Sequence, residues 1–370
     1  VIELGKVSSF QMAMMLYSMP VATGIVILPA ITARQAEQDL WLSPIIASLV
    51  GYMLIYIAYR LDKLYPNKTV MEYCIEVAGR IPGKALGFVF VFFYLHLSGI
   101  VIRQYGEFIV GNFFLKTPMI AITGVTVIAC AIAVRCGLEV LGRCSQSFIT
   151  LLIVLVLIVT VLLLPGMNPE NVFPVMERGF VPVLKGAASP MDWFSSYFAA
   201  LFLFPFLSDK SKGMKWGMIS VCAVMLTMVI TNLAALLLFG ELTADLSYPM
   251  MVAVRQISLA GFIEHIEAVV MSIWILGAFV QICMHYYIAV VGTAQWLGMK
   301  SYKPLVFPLG FLLLVLSVWI APDLQVLSGF LGTSFAFYAL AIRFMIPLLL
   351  FLVALLRKKR GKSRASGSNG

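Results

Sequence analysis

Charge is scarce in this 370-residue chain. Asp, Glu, Lys and Arg make up 12% of it and apolar residues 61%, with a mean hydropathy of +0.99, whereas a soluble domain carries roughly 25% charged residues. A water-facing surface cannot be built from so few charges, so an integral membrane protein is expected. The period-2 alternation of outer-membrane strands is also missing. Apolar runs instead recur near the roughly 20 residues a helix needs to cross a hydrocarbon core, which predicts an all-α, polytopic protein. No CxxC pair occurs among Cys74, Cys130, Cys136, Cys144, Cys222 and Cys283, so buried free thiols are expected rather than metal or disulfide sites. A glycine-rich phosphate loop, HExxH, metal-ligand spacing and a grouped nucleophile, base and orienter are all absent from the sequence. These absences predict no enzyme, no cofactor and no metal.

What is present is a series of ten apolar stretches, near 9–31, 43–60, 85–109, 118–134, 146–164, 192–207, 216–239, 262–290, 304–320 and 333–356. The first is too long, and too polar in its middle, for a signal peptide and is expected to be a retained span. Connections are short except for 165–191, whose prolines and glycines predict an irregular segment. That loop divides the chain into a first five-span repeat (1–164) and a second (192–356), followed by a basic tail (357–370). The closing SRASGSNG is expected to be an added or trimmed end and is given no function. Of 26 Lys and Arg, 19 fall on the side of the termini and 6 on the other, with Arg343 inside a span. The bias predicts cytoplasmic termini, an even number of spans and an extracytoplasmic 165–191 loop. It also accounts for the net charge of +9 through a basic tail beside anionic lipid, without nucleic acid.

The first stretch contains MPVATGIVILP, interrupted by Pro20, Gly24 and Pro29. Proline removes a helix donor and clashes with the preceding turn, and glycine costs about 1 kcal/mol relative to alanine in a helix. The second repeat opens similarly, with SPMDWFSSYFAALFLFP flanked by Pro190 and Pro205 and holding Ser195, Ser196 and Tyr197. Two interrupted helices at matching positions of two five-span halves predict an inverted-repeat transporter fold with helices 1 and 6 unwound around a midplane site. Unwound backbone must find partners, and a small ligand can supply them. A half-helix N-terminus favours a carboxylate and free carbonyls favour an ammonium group, a combination suited to an amino acid. Candidate contacts are therefore Ala22, Thr23, Gly24 and Ile25 in the first span and Ser195, Ser196 and Tyr197 in the sixth.

Other polar residues lie within the spans. His96 and Ser98 sit in the middle of the third, followed by Arg103 and Glu107, which share a helix face four residues apart and are expected to neutralise each other. The eighth begins GFIEHIEAVV, with Glu264 and Glu267 on one face and His265 turned away. A carboxylate in a bilayer needs a partner, and so does Arg343. An ionic cluster of Glu264 or Glu267 with Arg343 and Arg103 is the structural expectation.

Several ordered segments carry a family resemblance: ATGIVILP in the first span, then ENVFPVMERGFVP, FPFLSDKSK, ELTADLSYPMM and GFIEHIEAVVMSIWI. Together they resemble the B subunit of bacterial spore germinant receptors, a branch of the amino acid, polyamine and organocation (APC) transporter superfamily. The resemblance implies a ten-helix, five-plus-five inverted repeat (APC/LeuT-like). It implies assembly with an A subunit that forms a channel and a lipoprotein C subunit in the inner spore membrane, with the B subunit as nutrient sensor. It also implies a pocket using Ala22, Gly24, His96, Leu97, Ser195 and Ser196. Where many relatives carry glycine and glutamate at the sixth-span break, this chain has WFSSYF, which leaves no conspicuous buried charge and points to an apolar amino acid or another small neutral nutrient. The expected function is a sensor that binds such a nutrient and biases a two-state equilibrium felt by partner subunits. The competing expectations are a proton- or sodium-coupled amino acid transporter and a scaffold with a vestigial pocket.

Overall fold

A computed structural model describes residues 2–257 and 266–367, and the described residues are almost wholly helical. The chain runs through α1 (Ser9–Ala36), a 3-10 segment and α2 (Ser43–Leu64), then the short α3 (Val70–Ala78) and α4 (Arg80–Asn112), α5 (Met119–Cys136) and α6 (Leu138–Leu163). Local chemistry sets these ends. Ser8 and Gln11 form a capping box at the start of α1, as Thr69 and Glu72 do for α3. Gly79 and Gly137, at φ 95° and 102°, turn the chain between α3 and α4 and between α5 and α6, a left-handed region in which a side chain is strained.

Among the described residues, seven helical stretches are long and apolar enough to cross a membrane. The α6 stretch shows why a bilayer is required: its hydropathy is 3.2 with 28% of the window buried inside the protein. Leu151, Val154, Leu157, Ile158 and Val161 all face outward, which is tolerable only against lipid. The protein is an integral membrane protein.

The first span departs from expectation. α1 is one continuous helix through Pro20, Gly24 and Pro29 rather than an unwound pair of half-helices. It is buried on nearly all sides, packed among α6, α7 (Phe180–Ser195), α9 (Lys210–Phe239) and α11 (Ile266–Trp296). Neighbours satisfy its backbone: Gln281 Nε2 donates to the Met19 carbonyl at 2.7 Å and Trp274 Nε1 to that of Ala22 at 2.5 Å. The carbonyls that Pro20 and Pro29 leave without an intrahelical donor are those of Leu16 and Ile25, so these two hydrogen bonds anchor α1 to α11 rather than fill the proline gaps.

The second-half element does break. α7 passes into a 3-10 segment at Ser196–Ala199, then α8 (Ala200–Leu203) and a further 3-10 turn at Phe204–Phe206. α7 also begins at Phe180, inside the 165–191 segment expected to be irregular. Val183, Gly186, Ala187, Pro190 and Phe194 bury one face at helical spacing, so packing overrides the local turn propensity of this segment. After α9 and α10 (Pro249–Arg255) come α11, α12 (Val306–Trp319), and a last stretch of α13 (Leu324–Phe330), α14 (Ala336–Leu340) and α15 (Ile346–Gly367). Two π-helical turns, Leu331–Phe335 and Ala341–Met345, join these three.

The α3–α4 corner is tightly closed. A Cβ on Gly83 would lie 2.5 Å from the Ile75 Cα and 2.7 Å from the Cys74 carbonyl oxygen, and backbone cannot rotate aside. Gly83→Ala should destabilise the protein by about 1–3 kcal/mol, read as a lowered unfolding midpoint. Gly111→Ala, whose Cβ meets open space in the same helix, should be neutral or slightly stabilising.

Candidate functional site

The C-terminal half of α1, together with α4, α7, α11 and α13, encloses a cavity of about 700 Å³. Its mouth lies where α1 ends, beside the exposed Arg34, Gln35 and Gln325. Deeper walls are aromatic and amide: Trp193, Trp274, Tyr105 and Phe108 with Gln104 and Gln281. Trp274 stacks on Tyr105 (centroids 5.9 Å, interplanar 10°) and tilts against Phe108 at 4.3 Å. Trp193 Nε1 donates to Thr23 Oγ1 at 3.1 Å.

Below this vestibule a chamber of about 40 Å³ shares Thr23, Gln104, Trp193 and Gln281 with it and adds Leu97, Asp192, Ser196, His285 and Arg343. Asp192 and Arg343 form a buried ion pair, with Arg343 Nη2 donating to both the Asp192 carboxylate and its backbone carbonyl, the latter at 2.9 Å. The guanidinium also lies over the Phe93 ring, 5.5 Å from its centroid, a favourable cation–π placement. Gln281 uses both amide hydrogens on α1, at Met19 O and at Thr23 Oγ1 (3.3 Å).

At the opposite end the first residues close the bundle. Glu3 is buried and accepts hydrogen bonds from the amides of Gly5 (2.8 Å) and Leu138 (3.2 Å) and the hydroxyls of Tyr287 (3.3 Å) and Tyr302 (3.1 Å). Val7 pairs with the 206–208 backbone, and Ser9 binds Asp209 through its amide and hydroxyl. The bundle is therefore latched at the end opposite the mouth of the cavity.

The structure gathers only part of the residues expected from sequence. Thr23 lines both cavities, and Leu97 and Ser196 line the chamber. Ala22 is fully buried, with its carbonyl taken by Trp274. Gly24 faces α9 and Trp193, its Cβ position 2.8 Å from Met228 Cε and 3.6 Å from Trp193 Cδ1. Ile25 lines a separate small apolar pocket. His96 packs among Phe92, Phe330 and Tyr338, away from both cavities. Ser195 Oγ donates to the Asp192 carbonyl, while the Tyr197 hydroxyl bonds Ser220 Oγ at 2.9 Å inside the packing between helices.

The ionic cluster takes a different form. Arg103 pairs with Glu107 at 2.7 Å and also donates to the carbonyls of Val318 and Pro322 at the end of α12. Arg343 joins neither of them: its partner is Asp192, and the π turn at 341–345 packs against α4 and the 3-10 segment at Ser196–Ala199. Glu267 has no ion pair among the described residues, and Glu264 lies outside them. The absence of a buried charge near WFSSYF is corrected too, since Asp192 directly precedes that motif. Once α7 is known to start at Phe180, Asp192 moves from the edge of a span to its interior. The sequence signal was the apolar periodicity of 183, 187, 190 and 194. Gln281 and His285, an i, i+4 polar pair inside an apolar run, are the sequence signal of this intramembrane polar site.

A membrane-embedded helical bundle with a solute-sized cavity reaching a buried polar floor defines a transporter-like fold. Solved structures agree. A Na+-coupled sialic acid symporter in a substrate-bound outward-open state superposes with TM-score 0.66 at 12% identity, covering 89% of this chain and 76% of that one. MhsT in complex with L-phenylalanine gives 0.59 at 15% identity, covering 95% and 99%. At these identities the likeness shows the fold alone, that of LeuT-type transporters. The family is given by sequence: a family model described as spore germination protein matches residues 6–324, and the chain belongs to that family. Among its relatives in Bacillus subtilis (strain 168), spore germination protein KB is 26% identical, with 97% of each chain covered, and spore germination protein A2 is 24% identical, with 96% of this chain and 98% of that one covered.

Proposed function

We propose that this protein is the nutrient-sensing subunit of a spore germination receptor, taking a small nutrient of no net charge into the vestibule and signalling to partner subunits. The cavity that descends from Arg34 to the Asp192–Arg343 floor is the observation that carries this reading. Its walls offer hydrogen-bonding amides and aromatic faces, and the two charges at its floor neutralise each other. Membership of the spore germination family supports the same reading, with A and C subunits as partners and the inner spore membrane as location. In this proposal the chain crosses the bilayer ten times as two five-helix repeats, 1–164 and 192–356. Both termini are cytoplasmic, in keeping with the Lys and Arg bias. Ligand binding would favour one of two conformations and so reach the partners.

The unequal ends of the bundle favour one second reading, a proton- or sodium-coupled amino acid transporter caught open to one side. The two readings part in a single experiment on purified protein. A screen of amino acids and sugars should give a concentration-dependent rise in the unfolding temperature for at least one compound, worth roughly 2.7 kcal/mol at a hundred times Kd. In proteoliposomes bearing ion gradients, the same compound should bind without accumulating. Uphill uptake would replace the sensor with the transporter, and a folded protein that no compound stabilises would leave neither.

A further inference from the structure

We infer that the small apolar pocket beside the vestibule is a lipid site, which takes one acyl chain of a bilayer phospholipid from the side of the bundle. The pocket holds about 60 Å³, room for about four water-sized groups. Ile25 of α1, Leu152, Leu155 and Val159 of α6, and Met251 and Val254 of α10 form its walls. Three other lining side chains carry a polar hydrogen, and each is already spent. Thr160 Oγ1 donates to the Val156 carbonyl at 2.7 Å, Thr231 Oγ1 to that of Thr227 at 3.0 Å, and Trp274 Nε1 to that of Ala22. No donor is left over for water or a polar solute, so the space suits hydrocarbon.

The surroundings of the pocket supply that hydrocarbon. Its rim is half-buried: Val156 and Thr160 of α6, Met250 of α10, and Val270 and Met271 of α11. Beside this rim on α6, Leu157, Ile158 and Val161 are exposed on the surface that only lipid can cover, so the pocket opens onto bilayer rather than water. Leu152 to Val159 lie roughly 6–17 Å before the end of α6 at Leu163, at about 1.5 Å per residue. That depth matches one leaflet's share of a hydrocarbon core about 30 Å thick. Met250, Met251 and Met271 are flexible and polarisable, a lining that adapts to a mobile chain. Val26, Phe108 and Trp274 line this pocket and the vestibule alike. A chain seated here backs the vestibule wall and the indole that holds the Ala22 carbonyl, so the shape of the vestibule responds to the lipid. Occupancy of the pocket itself does not depend on what the vestibule binds.

The test uses the full chain in phosphatidylcholine nanodiscs doped with a phosphatidylcholine that carries a mid-chain diazirine. After irradiation, adducts are mapped by peptide mass spectrometry. Label is expected on the exposed Leu157 and Val161 and also on Met251 and Val254, which are 5% and 2% exposed and out of reach of lipid that merely surrounds the bundle. Val159→Phe and Val270→Phe add bulk to the pocket from α6 and from α11. In folded variants the label at Met251 and Val254 should fall several-fold while that at Leu157 and Val161 stays unchanged. Wild-type label confined to the exposed residues overturns the site, whether or not the variants fold. Label at Met251 and Val254 that persists in both folded variants overturns its placement. A water-soluble diazirine that labels the same two residues in place of the lipid would show that water, not an acyl chain, fills the pocket.

Discussion

Asp192→Leu should destabilise the protein by about 3–5 kcal/mol, the range for removing one partner of a buried ion pair. It strands Arg343, buried to 3% exposure over the Phe93 ring, and an arginine cannot lose its proton to escape the penalty. Arg343→Met should be milder, because the carboxyl left behind can take one up. The double variant should recover most of the loss, since two apolar side chains leave no uncompensated charge. Unfolding of the purified chain by heat or SDS measures all three, and a double variant no better than Asp192→Leu would show that the pair does not act as a unit. The pair matters beyond stability because of where its ends are attached. Asp192 lies one turn before the 3-10 segment at Ser196–Ala199, and Arg343 sits within the π turn at Ala341–Met345. Two irregular backbone segments are pinned to each other at the floor of the cavity, so any ligand that alters the pair shifts both.

The class of fold was legible because hydropathy and helix length are summed properties. Among the described residues each apolar stretch is at least partly helical, and seven helical stretches are long and apolar enough to cross a membrane. What the sequence could not decide was how a weak local signal fares against packing. Pro20, Gly24 and Pro29 invite a break, yet Trp274 and Gln281, some 250 residues later in the chain, donate to the Ala22 and Met19 carbonyls and hold the helix in its packed position. The same blindness to long-range partners placed Arg343 with Glu264 or Glu267. Both glutamates stood out as charges near a span, whereas Asp192 was hidden at the assumed edge of one. Of the expected contacts, those that line the cavities, Thr23, Leu97 and Ser196, belong to the helices named from sequence. Neighbours such as Gly24 and Tyr197 face adjacent helices instead. A helix can be chosen from its pattern, but the face it turns to a cavity depends on which helices surround it.

Glu3→Ala should loosen the latched end of the bundle without unfolding it. Glu3 is a buried carboxylate held by two tyrosine hydroxyls and two backbone amides, with no cation among these partners. Hydrogen bonds to a charged group contribute about 1.5–3 kcal/mol each, though not additively. Losing them leaves the segment before α1 attached mainly through its backbone pairing, Val7 N–H to Phe206 O at 3.1 Å and Ser208 N–H to Val7 O at 3.0 Å. A local loss of about 2–3 kcal/mol corresponds to roughly 30- to 150-fold faster hydrogen exchange at those amides, while amides in the middle of α9 should be unaffected. Glu3→Gln keeps an acceptor oxygen and should accelerate exchange less. Unchanged exchange at Val7 and Ser208 in Glu3→Ala would mean that packing, not the carboxylate, holds this end shut. Packing does contribute, for a Cβ on Gly142 would sit 2.8 Å from Val7 Cγ1. The carboxylate differs from that contact in one respect. It ties the start of the chain to α6 and α11 together, and α11 carries both Tyr287 at the latch and Gln281 at the chamber. A small rotation of α11 would therefore move both the chamber and the latch, a route by which a ligand in the proposed site would reach the far end of the bundle.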